Sequence, residues 1–122
     1  MTVLAVADLA RATAFYEAVF GWPRRIDVPV LVEFALPGGG GLALYQRESF
    51  AINTDQAPLA ATEGGITGTE LYFHSGDLDA ALARIDAAGG RLLTPRSSRP
   101  WGDEAAYYAD PDGNVLALGR PL

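Results

Sequence analysis

Leu9, Ala12, Phe15, Tyr16 and Val19 recur at steps of three and four, and Leu78, Ala81, Leu82 and Ile85 repeat that spacing in the second half of the chain. The period predicts two helices, each with one apolar face that needs a cover. A short alternating stretch precedes each one, residues 2–7 and 69–75, of the kind that forms a half-buried strand. Between strand and helix stands an aspartate, Asp8 or Asp77, placed to accept from the free amides of the first helical turn. The helices are expected to stop at Gly21 and at Gly89-Gly90, where a left-handed cap costs little. Three strand candidates follow each helix: residues 24–28, 30–36 and 42–47, then 91–95, 105–109 and 115–119. Residues 38–41 and Asp110-Pro111-Asp112-Gly113-Asn114 read as the turns between the last two strands of each half. Both halves therefore spell βαβββ, an α+β arrangement with helices packed on mixed sheet.

The two halves also match residue by residue. Asp8 and Asp77, Leu9 and Leu78, Ala12 and Ala81, and Gly21 and Gly90 each lie 69 apart. Gly41-Leu42-Ala43-Leu44 then matches Val115-Leu116-Ala117-Leu118 at an offset of 74, so the second half holds five more residues before its last strand. This is the signature of a duplicated module. The expected organisation is one domain over residues 1–122, made of modules 1–47 and 69–122 with a connector over 48–68 that is too long for a tight turn.

Composition narrows the classes. Hydrophobic residues at 49% and charged residues at 20% fit a folded domain, and no apolar run approaches the ~20 residues of a membrane span. Neither cysteine nor a signal-peptide pattern is present, which makes the cytoplasm the expected compartment. Fifteen acids against nine bases, all arginine, give a net charge of −6 without a basic stripe. Nucleic acid and membrane surfaces are therefore not expected partners.

Several motifs resolve to turns. Asp110-x-Asp112-x-Asn114 opens like a calcium loop, but Val115 stands where that loop needs glycine and Pro121 where it needs a bidentate glutamate. The glycines at 38–41 lead into a strand and lack the Lys-Ser/Thr of a phosphate loop. His74 is the single histidine, so a site built on several imidazoles is excluded; alone on a strand it reads either as a structural hydrogen-bonding group or as a catalytic one. Alternation puts Glu70, Tyr72 and His74 on one strand face and Leu71, Phe73 and Ser75 on the other. The first face is either the wall of a concave site or a solvated surface.

Val6-Ala7-Asp8-Leu9 with Phe15-Tyr16-Glu17 and Phe20-Gly21-Trp22, Asp77-Leu78-Asp79-Ala80-Ala81 with Gly89-Gly90, and Asp110-Pro111-Asp112-Gly113-Asn114 together form a recognisable pattern. It resembles the glyoxalase, bleomycin resistance and extradiol dioxygenase superfamily, the vicinal oxygen chelate proteins, over essentially the whole chain. The resemblance implies paired βαβββ modules in a sheet that curls around a cavity, often in a homodimer. Metal-using members carry one His, Gln or Glu ligand on the first and last strand of each module, which here corresponds to Met1, Ala43, Glu70 and Ala117. Only Glu70 is a donor for a divalent ion, so neither metal nor cofactor is expected. The remaining candidate ligand-binding residues are Tyr45, Arg47, Glu70, Tyr72 and His74 on the cavity walls and Phe50 and Trp101 at its rim, together with Trp22 and one of Tyr107 or Tyr108. Such a set suits a small, aromatic or planar organic ligand, although core packing accounts for most aromatic residues in any fold. Three functions follow as expectations: metal-free ligand binding of the bleomycin-resistance kind; a metal-free isomerase or lyase in which Glu70 and His74 move a proton; or a domain that only dimerises.

Overall fold

The computed structural model describes residues 1–60 and 63–122. The chain falls into two compact units, Met1–Ala61 and Thr62–Leu122. In the first, β1 (Thr2–Val6) leads through α1 (Leu9–Phe20) to β2 (Arg24–Val28), β3 (Leu31–Ala35) and β4 (Gly41–Gln46), followed by α2 (Arg47–Thr54). In the second, β5 (Glu70–His74) leads through α3 (Leu78–Ala87) to β6 (Arg91–Ser98), β7 (Asp103–Ala109) and β8 (Val115–Pro121). Each unit holds one four-stranded mixed sheet, ordered β1-β4-β3-β2 in the first and β5-β8-β7-β6 in the second. The first and last strands of each module pair in parallel and the others antiparallel, so the βαβββ reading of both halves holds.

Local chemistry sets the helix ends. Asp8 accepts from Arg11 N and Asp77 from Ala80 N, each at 3.1 Å, which satisfies one orphan amide at each N-terminus. Gly21 ends α1 in the left-handed region at φ 65°, with its amide donating to Glu17 O. In the second unit Ala88 still has helical backbone, and the turn to positive φ falls on Gly89 at 88°.

Register decides which residues lie under the helices. Leu4 pairs with Leu44, and Val32 and Phe34 pair with Leu44 and Leu42; all five side chains are buried on the α1 side of their sheet. Ala12, Phe15, Tyr16 and Val19 of α1 cover them. In the second unit Leu71 and Phe73 pair with Leu116 and Leu118, and Leu78, Ala81 and Ile85 are the buried residues of α3. The hydroxyl of Tyr108 donates to Asp86 of α3 at 2.9 Å, fixing that face of β7 under the helix. Full burial of each Leu, Ile, Val or Phe in these faces contributes roughly 1.5–3 kcal/mol.

The structure corrects three expectations. The last strand of the first module ends at Gln46, not at Arg47, which instead opens α2, a helix that runs on into the expected connector; residues 61 and 62 of that connector lie outside the described residues. Trp22, expected at a cavity rim, is 8% exposed and stacks on Phe20 with ring centroids 4.0 Å apart. The strands expected at 91–95 and 105–109 run to Ser98 and begin at Asp103, respectively, with Pro95 tolerated where the β6–β7 register shifts between Thr94 and Ser97.

Candidate functional site

The face of the second sheet turned away from α3 gathers chemistry. Glu70, Tyr72 and His74 of β5 share it with Ala117 and Gly119 of β8, because Tyr72 pairs with Ala117 and His74 with Gly119. Across the next ladder, Ala117 pairs with Tyr107 and Gly119 with Ala105, and alternation adds Asp103. At Ala117 and Gly119 the central strand thus carries small residues between taller ones. At Gly119 the reason is direct: a Cβ there would lie 2.9 Å from the Tyr72 hydroxyl and 2.8 Å from Glu104 O. Glycine leaves the passage through which Tyr72 reaches over β8.

What Tyr72 reaches is Asp103. Its hydroxyl donates to Asp103 Oδ2 at 2.6 Å, and His74 Nε2 lies 2.8 Å from the same oxygen. Trp101 Nε1 donates to the Tyr72 hydroxyl at 3.0 Å, closing the cluster from the other side. The Asp103 side chain is 11% exposed and that of His74 57%. Hydrogen bonds from Tyr72 and then His74 hold the Asp103 carboxyl below its ordinary range. Burial, and then its bond to Asp103, raises the Tyr72 phenol. A carboxylate is thereby kept ionised and the phenol neutral.

The turn before β7 supplies the rest. Pro100 fixes one φ and Gly102 takes φ 92°, so that Gly102 N donates to Arg99 O and Arg99 N to Asp103 O. This places Trp101, 58% exposed, against Tyr72, with ring centroids 6.3 Å apart. Arg99 lies over Tyr107, its Cζ 4.6 Å from the ring centroid, and its buried Nε has no hydrogen-bond partner among the described residues. The face therefore offers aromatic area, a carboxylate, an imidazole and a guanidinium.

Of the sequence-derived candidates, the structure brings Tyr72, His74 and Trp101 together. Glu70 shares their strand face but is exposed, and among the described residues its side chain makes no hydrogen bond or ion pair. Tyr45 and Phe50 of the first unit meet edge to face at 6.1 Å. Arg47, expected at the end of a strand, opens α2 and pairs with Glu48 at 3.3 Å. Of the two rim tyrosines, Tyr107 lies on the site face, whereas Tyr108 points to α3. Asp103 and Arg99 are additions that sequence reasoning missed. The alternation Asp103, Ala105, Tyr107 was the available signal for Asp103, provided the strand is started two residues earlier.

The first unit has a counterpart. On the sheet face away from α1, buried Glu33 accepts from Arg25 Nε at 2.6 Å and is paired with Ala43 across the ladder. An open groove on the α1 side, between the helix and β2, contains Arg24, already tied to Glu17 and Asp27 at 2.6 and 2.9 Å.

The metal-ligand positions implied by the resemblance do not fit an ion. Met1 precedes β1 and is 73% exposed, and the residues level with Ala43 and Ala117 are Val3 and Tyr72. A thioether, two methyl groups and one carboxylate contain a single hard donor. Among the described residues no three His, Asp or Glu side chains converge as a metal site.

Fold and site define a class: two βαβββ modules, each with a polar and aromatic sheet face turned away from its helix. The chain belongs to the Glyoxalase/Bleomycin resistance protein/Dioxygenase superfamily, whose profile matches residues 1–118. It is 29% identical to "Putative glyoxylase CFP32" of Mycobacterium tuberculosis over 118 residues, 94% of this chain and 42% of that protein. With the anthracycline biosynthesis protein DauV of Streptomyces sp. it shares 25% identity over 126 residues, 93% of this chain and 43% of the relative. The chain thus spans less than half the length of these curated relatives. A glyoxalase-related enzyme from Fulvimarina pelagi has the same fold, with a TM-score of 0.81, 24% identity, and coverage of 98% of this chain and 86% of the other. Among the described residues no helix is long and apolar enough to cross a membrane.

Proposed function

We propose that the chain binds a small, planar organic molecule on the Tyr72–His74–Trp101 face without a resident metal. The observation that carries this reading is the Tyr72–Asp103–His74–Trp101 cluster, in which aromatic rings supply stacking area and a few fixed polar atoms supply orientation. The similarity to a protein named for anthracycline biosynthesis supports an aromatic ligand. Glu70, on the same strand face, is a further proposed contact, and Tyr45, Arg47 and Phe50 of the first unit are tested separately by substitution. The cytoplasm is the proposed compartment, to be checked by fractionation.

A thermal-shift screen of planar aromatic metabolites tests the proposal, because a ligand bound only by the folded state raises Tm. At 100 times its Kd a true ligand stabilises by about 2.7 kcal/mol. Trp101→Ala should abolish the shift, while a Leu59→Ala control retains it. A screen in which no planar compound shifts Tm would count against ligand binding and leave the dimerisation-only reading. Metal independence is measured separately. Elemental analysis of untagged protein should find well under one equivalent of Zn, Ni, Fe or Mn, and one bound equivalent would overturn it.

A second reading, a metal-free isomerase or lyase, is favoured by one contact: His74 is hydrogen-bonded to a buried carboxylate, as a general base is oriented. Turnover of any ligand found in the screen, lost in His74→Gln, would select it over binding alone.

A further inference from the structure

We propose that Asp103 is a positioning residue that fixes His74 as its Nε2–H tautomer, so that His74 Nδ1 accepts a proton or a strong hydrogen bond from an acidic O–H of the ligand. The ligand class is then a phenol or enol within a planar molecule. This inference rests on the planar-ligand reading above, and its test separates the two.

Asp103 Oδ2 already accepts from the Tyr72 hydroxyl at 2.6 Å, and an ionised carboxylate has no hydrogen to give. At 2.8 Å the hydrogen between Asp103 and His74 must therefore sit on Nε2. In a neutral imidazole one nitrogen is the donor and the other the acceptor, which leaves the lone pair on Nδ1. Among the described residues Nδ1 has no hydrogen-bond partner, and the side chain is 57% exposed.

An acidic O–H at Nδ1 would complete the set. If the proton moves, the O–H bond breaks, an Nδ1–H bond forms, and the ligand keeps the electron pair as phenolate or enolate. No other reactant is needed. The resulting imidazolium stays beside the Asp103 carboxylate, which stabilises its charge. Arg99, held over Tyr107 on the same sheet face, adds a positive charge to the face that would receive the anion. Trp101 and Tyr72 provide the ring surfaces for a planar scaffold.

The chain has one histidine, so its imidazole nitrogens are read without overlap in untagged, nitrogen-15 labelled protein. At a pH where the ring is neutral, the expected spectrum shows Nε2 protonated and Nδ1 with the signature of a bare lone pair. Asp103→Asn, whose amide can either give or accept, should release the preference into a mixture. Tyr72→Phe, which leaves the Asp103–His74 bond in place, should keep it. A wild-type ring protonated mainly on Nδ1 overturns the proposal, whether or not Asp103→Asn folds.

The ligand class is read with 4-nitrophenol against its methyl ether, 4-nitroanisole, by equilibrium binding to the whole chain. The phenol should bind about tenfold tighter or more, and His74→Gln, a change at an exposed side chain, should erase that preference. Equal affinity of the two probes for the wild type overturns the acidic O–H class. If neither binds at millimolar concentration, the planar-ligand reading falls and the class with it, while the tautomer is judged by the spectrum alone.

Discussion

Gly119 decides whether the polar cluster can exist. A Cβ at this position meets Glu104 O at 2.8 Å, which is backbone and cannot step aside, and the Tyr72 hydroxyl at 2.9 Å. Gly119→Ala is therefore expected to destabilise the second unit by about 1–3 kcal/mol, the usual cost of forcing an atom into packed surroundings. Gly68→Ala, where nothing lies within 4 Å of the added atom, should cost far less. Urea denaturation of both variants checks this, and equal midpoints would contradict it. The cluster also titrates. Because Tyr72 and His74 hold the folded-state Asp103 carboxyl below its ordinary range, its contribution to stability is complete above the unfolded value and is lost as pH falls through the folded one. Glu104, lowered by Arg96 and then Arg120, acts in the same sense. Melting curves should therefore show the Tm gap between wild type and Asp103→Asn narrowing as pH is taken below about 4. A gap that widens would show that the Asp103 contacts do not favour its charged form.

At the scale of elements, the caps carry a matched pair of tests. Asp8→Ala and Asp77→Ala each remove the side-chain acceptor of one helix start and should each cost about 1 kcal/mol, read as a shift of the urea midpoint at constant slope. A null effect at both would mean that the first-turn amides find water as readily as aspartate. These helices and the eight strands among the described residues were legible because their signals are local: period, capping acid, terminal glycine. Helix α2 was not, for a physical reason. Only Ala51 of its eight residues is buried, so it lacks the apolar stripe that betrays a helix. Its N-terminal neighbour is instead tied to distant backbone: Gln46 Oε1 accepts from Leu9 N and Nε2 donates to Ala7 O, at 3.0 and 2.8 Å. The site divides in the same way. Tyr72 and His74 follow from alternation along one strand, whereas Asp103 joins them only because β7 returns beside β8 some thirty residues later in the chain. Glu33 and Arg25 are a second case, a buried carboxylate whose partner comes from the neighbouring strand.

At the scale of the whole molecule, the resemblance that implied two modules also implies a second copy of the chain, and we propose a homodimer. In the first unit β2 is an edge strand, with one row of backbone groups unpaired within its sheet. Ile26 and Val28 on it, and Val30 in the turn after it, are 41%, 46% and 39% exposed. An edge strand bearing apolar side chains invites association, and proteins usually cover or charge such an edge. The first unit does place charge nearby, but Arg24 is committed to Glu17 and Asp27, and Arg25 to Glu33. The apolar residues are thus left as the edge's free chemistry, and closed twofold association is the commonest way to cover them. Sedimentation equilibrium should give about twice the 12.9 kDa of one chain. Val28→Glu places a carboxylate in that surface and should return the mass to one chain while leaving the far-ultraviolet circular dichroism unchanged, because an exposed position tolerates charge in the monomer. A wild type that sediments at the mass of one chain at high concentration would overturn the homodimer. A variant that remains dimeric would move the interface away from β2.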